Sequence, residues 1–129
     1  MTETGVLPCS GACNVGNMTV KAAGTLAAER ADIQYVCALG LPLGIEGIIS
    51  KAKRASQYVA MNGCEVACAT KALQSIGIDP RKELCLTKDF PIKKSNDYQD
   101  EHRLSDVIER AKKIVYSFCK SSSTSSGVI

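Results

Sequence analysis

Tryptophan is missing from this chain, and aromatic residues make up only 5% of it. Any core must therefore be built from Ala, Val, Ile and Leu. At 129 residues and 45% hydrophobic content, there is enough apolar surface for one domain. No apolar run approaches the roughly 18 residues that a membrane span requires. The first residues, MTETGVLPCSG, carry no basic residue and no long apolar region, so a signal peptide is not expected. Arginine-rich or aromatic-interleaved patches are also missing. The 16 basic and 13 acidic side chains are scattered, leaving a net charge of +3. Lys93-Lys94 is too short a basic run to suggest nucleic acid. Neither nucleic acid nor membrane is expected as a partner, and a cytoplasmic location is the expectation. There is a single histidine, His102, at the start of a charge-rich segment, where a solvated surface residue is expected. A Cys–His nucleophile pair has little support without a histidine near a cysteine.

Cysteine is what the chain does have: seven residues, an odd number. In a reducing compartment such a set is not a disulfide framework, and pairing would strand one thiol. Metal ligation or thiol chemistry is the better expectation. Four of the seven form two copies of Cys-x-x-x-Cys, Cys9/Cys13 in PCSGACNVG and Cys64/Cys68 in NGCEVACAT.

The chain alternates strand-like and helix-like segments. Gly5 to Pro8 predicts a first strand, and Val15, Met18, Ala22, Ala23, Leu26 and Ala27 then recur at helical spacing. Asp32 to Leu39 predicts a largely apolar second strand, broken by Gly40, Pro42 and Gly44. A helix near Ile45 to Arg54, a strand at Gln57 to Met61, a helix from about Glu65 to Ile76 and a strand at Glu83 to Leu86 follow. Beyond a polar loop from Thr87 to Asp100, the stripe Leu104, Val107, Ile108, Ala111, Ile114, Val115 and Phe118 predicts the clearest helix. The expected architecture is a three-layer α/β sandwich. Its four-stranded, mostly parallel sheet has the order 2-1-3-4, in the Rossmann-like or flavodoxin-like manner. One domain is expected over residues 1–119, with a disordered Ser-rich tail over 120–129.

In such sheets ligand sites lie beyond the carboxyl ends of the strands. Cys9 and Cys64 follow the first and third strands, and Cys37 sits near the end of the second. Three cysteine positions thus converge on one edge. Zinc favours four ligands in a tetrahedron, and helix N-termini suit the net negative charge of a four-thiolate complex. Cys9, Cys13, Cys37, Cys64 and Cys68 are the candidates. Convergence of strand ends favours Cys37 as the fourth ligand, whereas the symmetry of the two Cys-x-x-x-Cys pairs favours Cys13. Cys37 could also be plain core, and Cys85 and Cys119 are expected to be packing residues.

Two other chemistries stay open. A redox or sulfur-transfer enzyme could use Cys9 or Cys64 as nucleophile, with its Cys-x-x-x-Cys partner resolving. An iron–sulfur cluster could occupy the same thiols. Phosphatase chemistry on CSGACNVG is not expected, since the nearest arginine is Arg30, a full helix away from any anion held there.

CSGACNVGN, YVCALGLPLGIEG and VAMNGCEVACATKAL together resemble the Asp-Gly-Cys (DGC) domain family of zinc-binding proteins, over roughly Val6 to Leu86. The resemblance implies zinc as the cofactor and Cys9, Cys37, Cys64 and Cys68 as its metal ligands. Cys13 falls where relatives are expected to carry Ser or another small residue. Asn62 stands in place of the aspartate that names the family, which removes a charge beside the site but no thiol. No activity comes with the resemblance.

Overall fold

A computed structural model describes residues 3–127, with side chains from 120 onward outside that description. The elements are β1 (Thr4–Pro8), α1 (Asn14–Glu29), β2 (Ile33–Tyr35), α2 (Glu46–Ala52), β3 (Gln57–Asn62), α3 (Cys68–Gln74), β4 (Lys82–Cys85), α4 (Leu86–Asp89) and α5 (Leu104–Gly127). The sheet order is β2-β1-β3-β4, and all its ladders are parallel. This is the expected α/β architecture with the expected strand order. The expected tail from Lys120 falls on side chains outside the described residues, and residues 128–129 lie outside them entirely.

Alternation along the strands divides the core in two. Val6, Val59, Met61 and Leu84 face α1 and α5, whose buried stripes include Val15, Met18, Ala22, Leu26, Val107, Ala111 and Val115. Leu7, Tyr58 and Ala60 face the opposite side, where Ala52 of α2 and Ala69 and Leu73 of α3 cover them. Both faces of β1 and β3 are covered, which is why these strands read as nearly continuous apolar runs. Beyond the strands, Glu29 at the end of α1 pairs with Lys112 Nζ at 3.0 Å and accepts from Tyr116 Oη at 3.0 Å, clamping α1 to α5.

Two expected elements are shorter than their apolar patterns. β2 keeps only three residues, because it is an edge strand whose ladder reaches no further than Val6 of β1. Cys37 therefore lies past the strand, in the connection to α2, and is exposed. α3 begins at Cys68 rather than near Glu65, since Ala67 adopts a left-handed conformation (φ 60°, ψ 47°) that no α-helix contains. Val66 consequently points outward, 51% exposed, instead of joining the inner stripe.

The order 2-1-3-4 places the topological switch between β1 and β3. From β1 the chain departs to α1 on one face, and from β3 to α3 on the other, which opens a crevice at the carboxyl ends of the two strands. Backbone contact closes the floor of that crevice. A Cβ on Gly16 in the first turn of α1 would lie 2.6 Å from Gly11 O, and one on Gly63 would lie 2.9 Å from the carbonyl carbon of Val15. The loop after β1 and the turn after β3 therefore both rest directly on the start of α1, and only glycine permits that approach.

Gly24 has no such reason. Nothing lies within 4 Å of a Cβ added at Gly24 in α1. Gly24→Ala should raise stability by about 0.5–1 kcal/mol through helix propensity. Gly16→Ala and Gly63→Ala should each lower it by about 1–3 kcal/mol through overpacking against backbone. Thermal denaturation of the three variants checks this, and equal effects would refute the close-packing account.

Candidate functional site

The two Cys-x-x-x-Cys segments do not act as residues one turn apart on a helix. Cys9 directly follows β1, Cys13 is the N-cap of α1, Cys64 lies in the turn after β3, and Cys68 is the first residue of α3. Loop geometry brings them together. A pocket of about 330 Å³ at the switch point is lined by Cys9, Cys13, Cys64 and Cys68, with Gly11, Gly63 and Lys94. Neither carboxylate nor imidazole lines it.

Three of the four sulfurs have a polar neighbour. Cys9 Sγ accepts from the Gly63 N–H at 3.3 Å and lies 3.7 Å from Thr19 Oγ1. The Thr19 proton is committed to Gly16 O at 2.7 Å, so in that contact the Cys9 thiol is the donor. Cys13 Sγ accepts from the Gly16 N–H at 3.4 Å, as the side-chain cap of α1. Lys94 Nζ stands 3.6 Å from Cys64 Sγ. Among the described residues, the two non-glycine residues with positive φ are Ser10 (56°), directly after Cys9, and Ala67 (60°), directly before Cys68. A left-handed residue of this kind costs about 1–2 kcal/mol, and both sit where they redirect a thiol.

Cys37 stands apart. It lines a different pocket of about 440 Å³ with Pro8, Ser10, Tyr35 and Leu39, on the other side of the loop that carries Cys9. Of the expected ligands, then, Cys9, Cys64 and Cys68 share one pocket, and Cys37 is in the next. Cys13 is in the first. Cys119 is core, 1% exposed, and burial pushes its thiol above the ordinary range. Cys85 is half-buried, 3.6 Å from Thr87 Oγ1, and borders a more polar pocket that also reaches Cys64. His102 is exposed.

A family model for the DGC domain matches residues 5–114. The chain belongs to the DGC domain family. No curated protein and no solved structure matches it.

The donor chemistry of this DGC domain fits a thiophilic divalent metal, because four sulfurs and no competing oxygen or imidazole line one pocket. Their arrangement is more open than a coordination sphere. Among the described residues, no three Cys, His, Asp or Glu side chains are gathered closely enough to hold a metal ion. The sulfurs of Cys9 and Cys13 turn instead to backbone N–H groups.

Several residues that hold this site carry no cysteine signal in the sequence. Asn14, 1% exposed, takes Ser95 N–H on its oxygen at 2.7 Å and donates to Lys93 O at 2.9 Å. Asn17 Nδ2 donates to Tyr98 O at 2.9 Å. Together they strap the 93–98 loop across the start of α1 and so deliver Lys94 to Cys64. Asn62 is 2% exposed; its Oδ1 accepts from the N–H groups of Ala69 (2.9 Å) and Thr70 (3.3 Å), capping α3 from the end of β3. Those two donors determine which end of the amide is oxygen. Asn62 Nδ2 donates to Thr70 Oγ1 at 2.9 Å, and Thr70 Oγ1 donates to Glu83 Oε1 at 2.8 Å. Asparagine here is thus more than a lost charge: an aspartate could cap α3 equally well but could not donate to Thr70.

In Asn62→Asp the single proton of Thr70 would face two carboxylates. Stability should fall by about 1–2 kcal/mol. Adding Glu83→Gln should recover most of that, since the new amide can donate to Thr70 Oγ1, while Glu83→Gln alone should cost little. Thermal melts of both single variants and the double variant test the chain of bonds; strictly additive effects would rule it out.

Proposed function

We propose that this protein binds zinc through cysteine thiolates at the β1/β3 switch point. The observation that carries the proposal is the convergence of thiols from two separate loops on one pocket without any other ligating side chain. Cys9, Cys64 and Cys68 are three of the ligands. Cys37, from the adjoining pocket beyond Ser10, is the fourth, as the family pattern implies. Four thiolates and a divalent zinc carry a net charge of −2. The N–H groups at the start of α1 and the Lys94 ammonium supply compensating positive potential. A four-thiolate site leaves no open position for water, so a structural or carrier role suits it better than hydrolysis. Zinc bound there would tie the loops after β1, β2 and β3 together. A reducing cytoplasm is the compartment in which these thiols would stay available.

One observation favours a second class of function. The Lys94 ammonium beside Cys64 is the kind of neighbour that attends reactive thiols, which suits a redox or sulfur-transfer enzyme with Cys64 or Cys9 as nucleophile. Metal analysis of anaerobically purified protein, with a visible spectrum, separates the possibilities. Colourless protein with one zinc per chain supports the proposal. Brown protein with iron and sulfide points to a cluster, and metal-free protein with fully reactive thiols favours the enzyme.

Chelation should leave a folded α/β domain, because α1, α5 and the sheet bury most of their apolar surface against one another. Far-ultraviolet dichroism should stay near native while Tm falls. At a metal concentration a hundredfold above Kd the stabilisation lost is about 2.7 kcal/mol. Global unfolding on chelation would refute this division between core and site.

A further inference from the structure

We infer that Cys13 is a fifth thiol of the site, which completes a four-sulfur set with Cys9, Cys64 and Cys68 when Cys37 is not engaged. The inference rests on the metal-binding proposal and concerns how that site reaches four ligands. It starts from the pocket: Cys13 lines it with Cys9, Cys64 and Cys68, whereas Cys37 lines a separate one. A Cβ on Gly11 would lie 3.7 Å from Cys13 Sγ and 3.9 Å from Cys9 Sγ, so the two sulfurs flank the same loop atom. The contact of Gly11 with Gly16 holds that loop down on α1 and fixes the pair relative to the helix.

Helix capping does not explain a cysteine at this position. The N-cap of α1 is a site where Ser, Thr, Asp or Asn accepts an N–H bond well, and sulfur accepts it weakly. Cys13 makes one 3.4 Å contact to Gly16 N and lines the pocket, while the rest of its side chain, 6% exposed, packs in the core on the α1 face. A thiol there has a use that an oxygen cap lacks, namely a soft ligand at the edge of a thiol-lined pocket. Cys37, in contrast, is exposed in the connection between β2 and α2, beside exposed Leu39 (66%) and Leu43 (64%). A site that depended on Cys37 alone for its fourth sulfur would be incomplete in the arrangement seen. Cys13 offers a fourth sulfur from within the same pocket, whose thiols would draw together around the ion.

The test compares wild-type protein with Cys13→Ser, Cys37→Ser and the double variant. Each is titrated with zinc and with cobalt(II), whose sulfur-to-metal charge-transfer band grows with each thiolate bound. Serine is a better N-cap than cysteine, which offsets the loss of a small buried apolar contact, so Cys13→Ser should stay folded, and the exposed Cys37 tolerates serine; dichroism verifies both. Cys37→Ser is expected to take up one metal per chain with a four-thiolate band. The double variant should show a three-thiolate band and weaker binding. Should Cys37→Ser already show the three-thiolate band or no uptake while wild type binds, Cys13 is not a ligand and the proposed function stands. A four-thiolate band in the double variant would assign the role to another thiol and overturn the inference. No uptake by wild-type protein would overturn both.

Discussion

Backbone rests on backbone at the start of α1, and the candidate site depends on that contact. Gly16 meets the loop at Gly11, and Gly63 meets the peptide between Val15 and Gly16, each at a distance that a side chain would not allow. The switch in strand order sends α1 and α3 to opposite faces, so the loops after β1 and β3 would otherwise diverge. With the glycines in place, the Gly63 N–H reaches Cys9 Sγ and the two cysteine loops share one pocket. Neither helix propensity nor thiol chemistry would achieve this without the close approach.

Buried amides then hold the periphery. Asn14 and Asn62 are almost fully enclosed, where an unpaired polar group would be costly, and the polar atoms of both side chains have partners. Asn14 ties a distant loop to the first helix, while Asn62 caps a helix from the strand before it. The result is that Lys94 and Cys68 are positioned by side chains that touch neither of them directly. Satisfied networks of this kind give a loop-built site more rigidity than its irregular backbone would suggest.

The thiols themselves divide by environment. Cys119 belongs to the core between the sheet and α5. Cys9, Cys13, Cys64 and Cys68 line the pocket, with backbone donors or an ammonium beside three of them, and Cys13 also reaches into the core. Left-handed residues next to Cys9 and Cys68 mark where the chain is bent away from its easiest conformation. Strain maintained by surrounding contacts is common where geometry serves a ligand, and here both instances flank ligand candidates.

Much of this was legible from residue order. Short apolar runs identified the strands and a 3.6-residue period the long helices, because burial on both faces or along one stripe leaves that imprint on any chain that folds this way. The alternation of strand and helix, with the crossover rule, led to the parallel sheet and its order, and the motifs led to the family. Residue order did not reveal where the pattern would stop. The apolar run through Val36 and Cys37 outlasts its ladder, because β2 has a partner only as far as Val6. Val66 fits a helical stripe, yet Ala67 turns the chain before the helix begins. The grouping of Cys13 with the other pocket thiols, the separation of Cys37, and the placing of Asn14, Asn62 and Lys94 were tertiary decisions. They arise from contacts between residues far apart in the chain, such as Ser95 with Asn14 across 81 positions, and such contacts leave no periodic trace in the sequence.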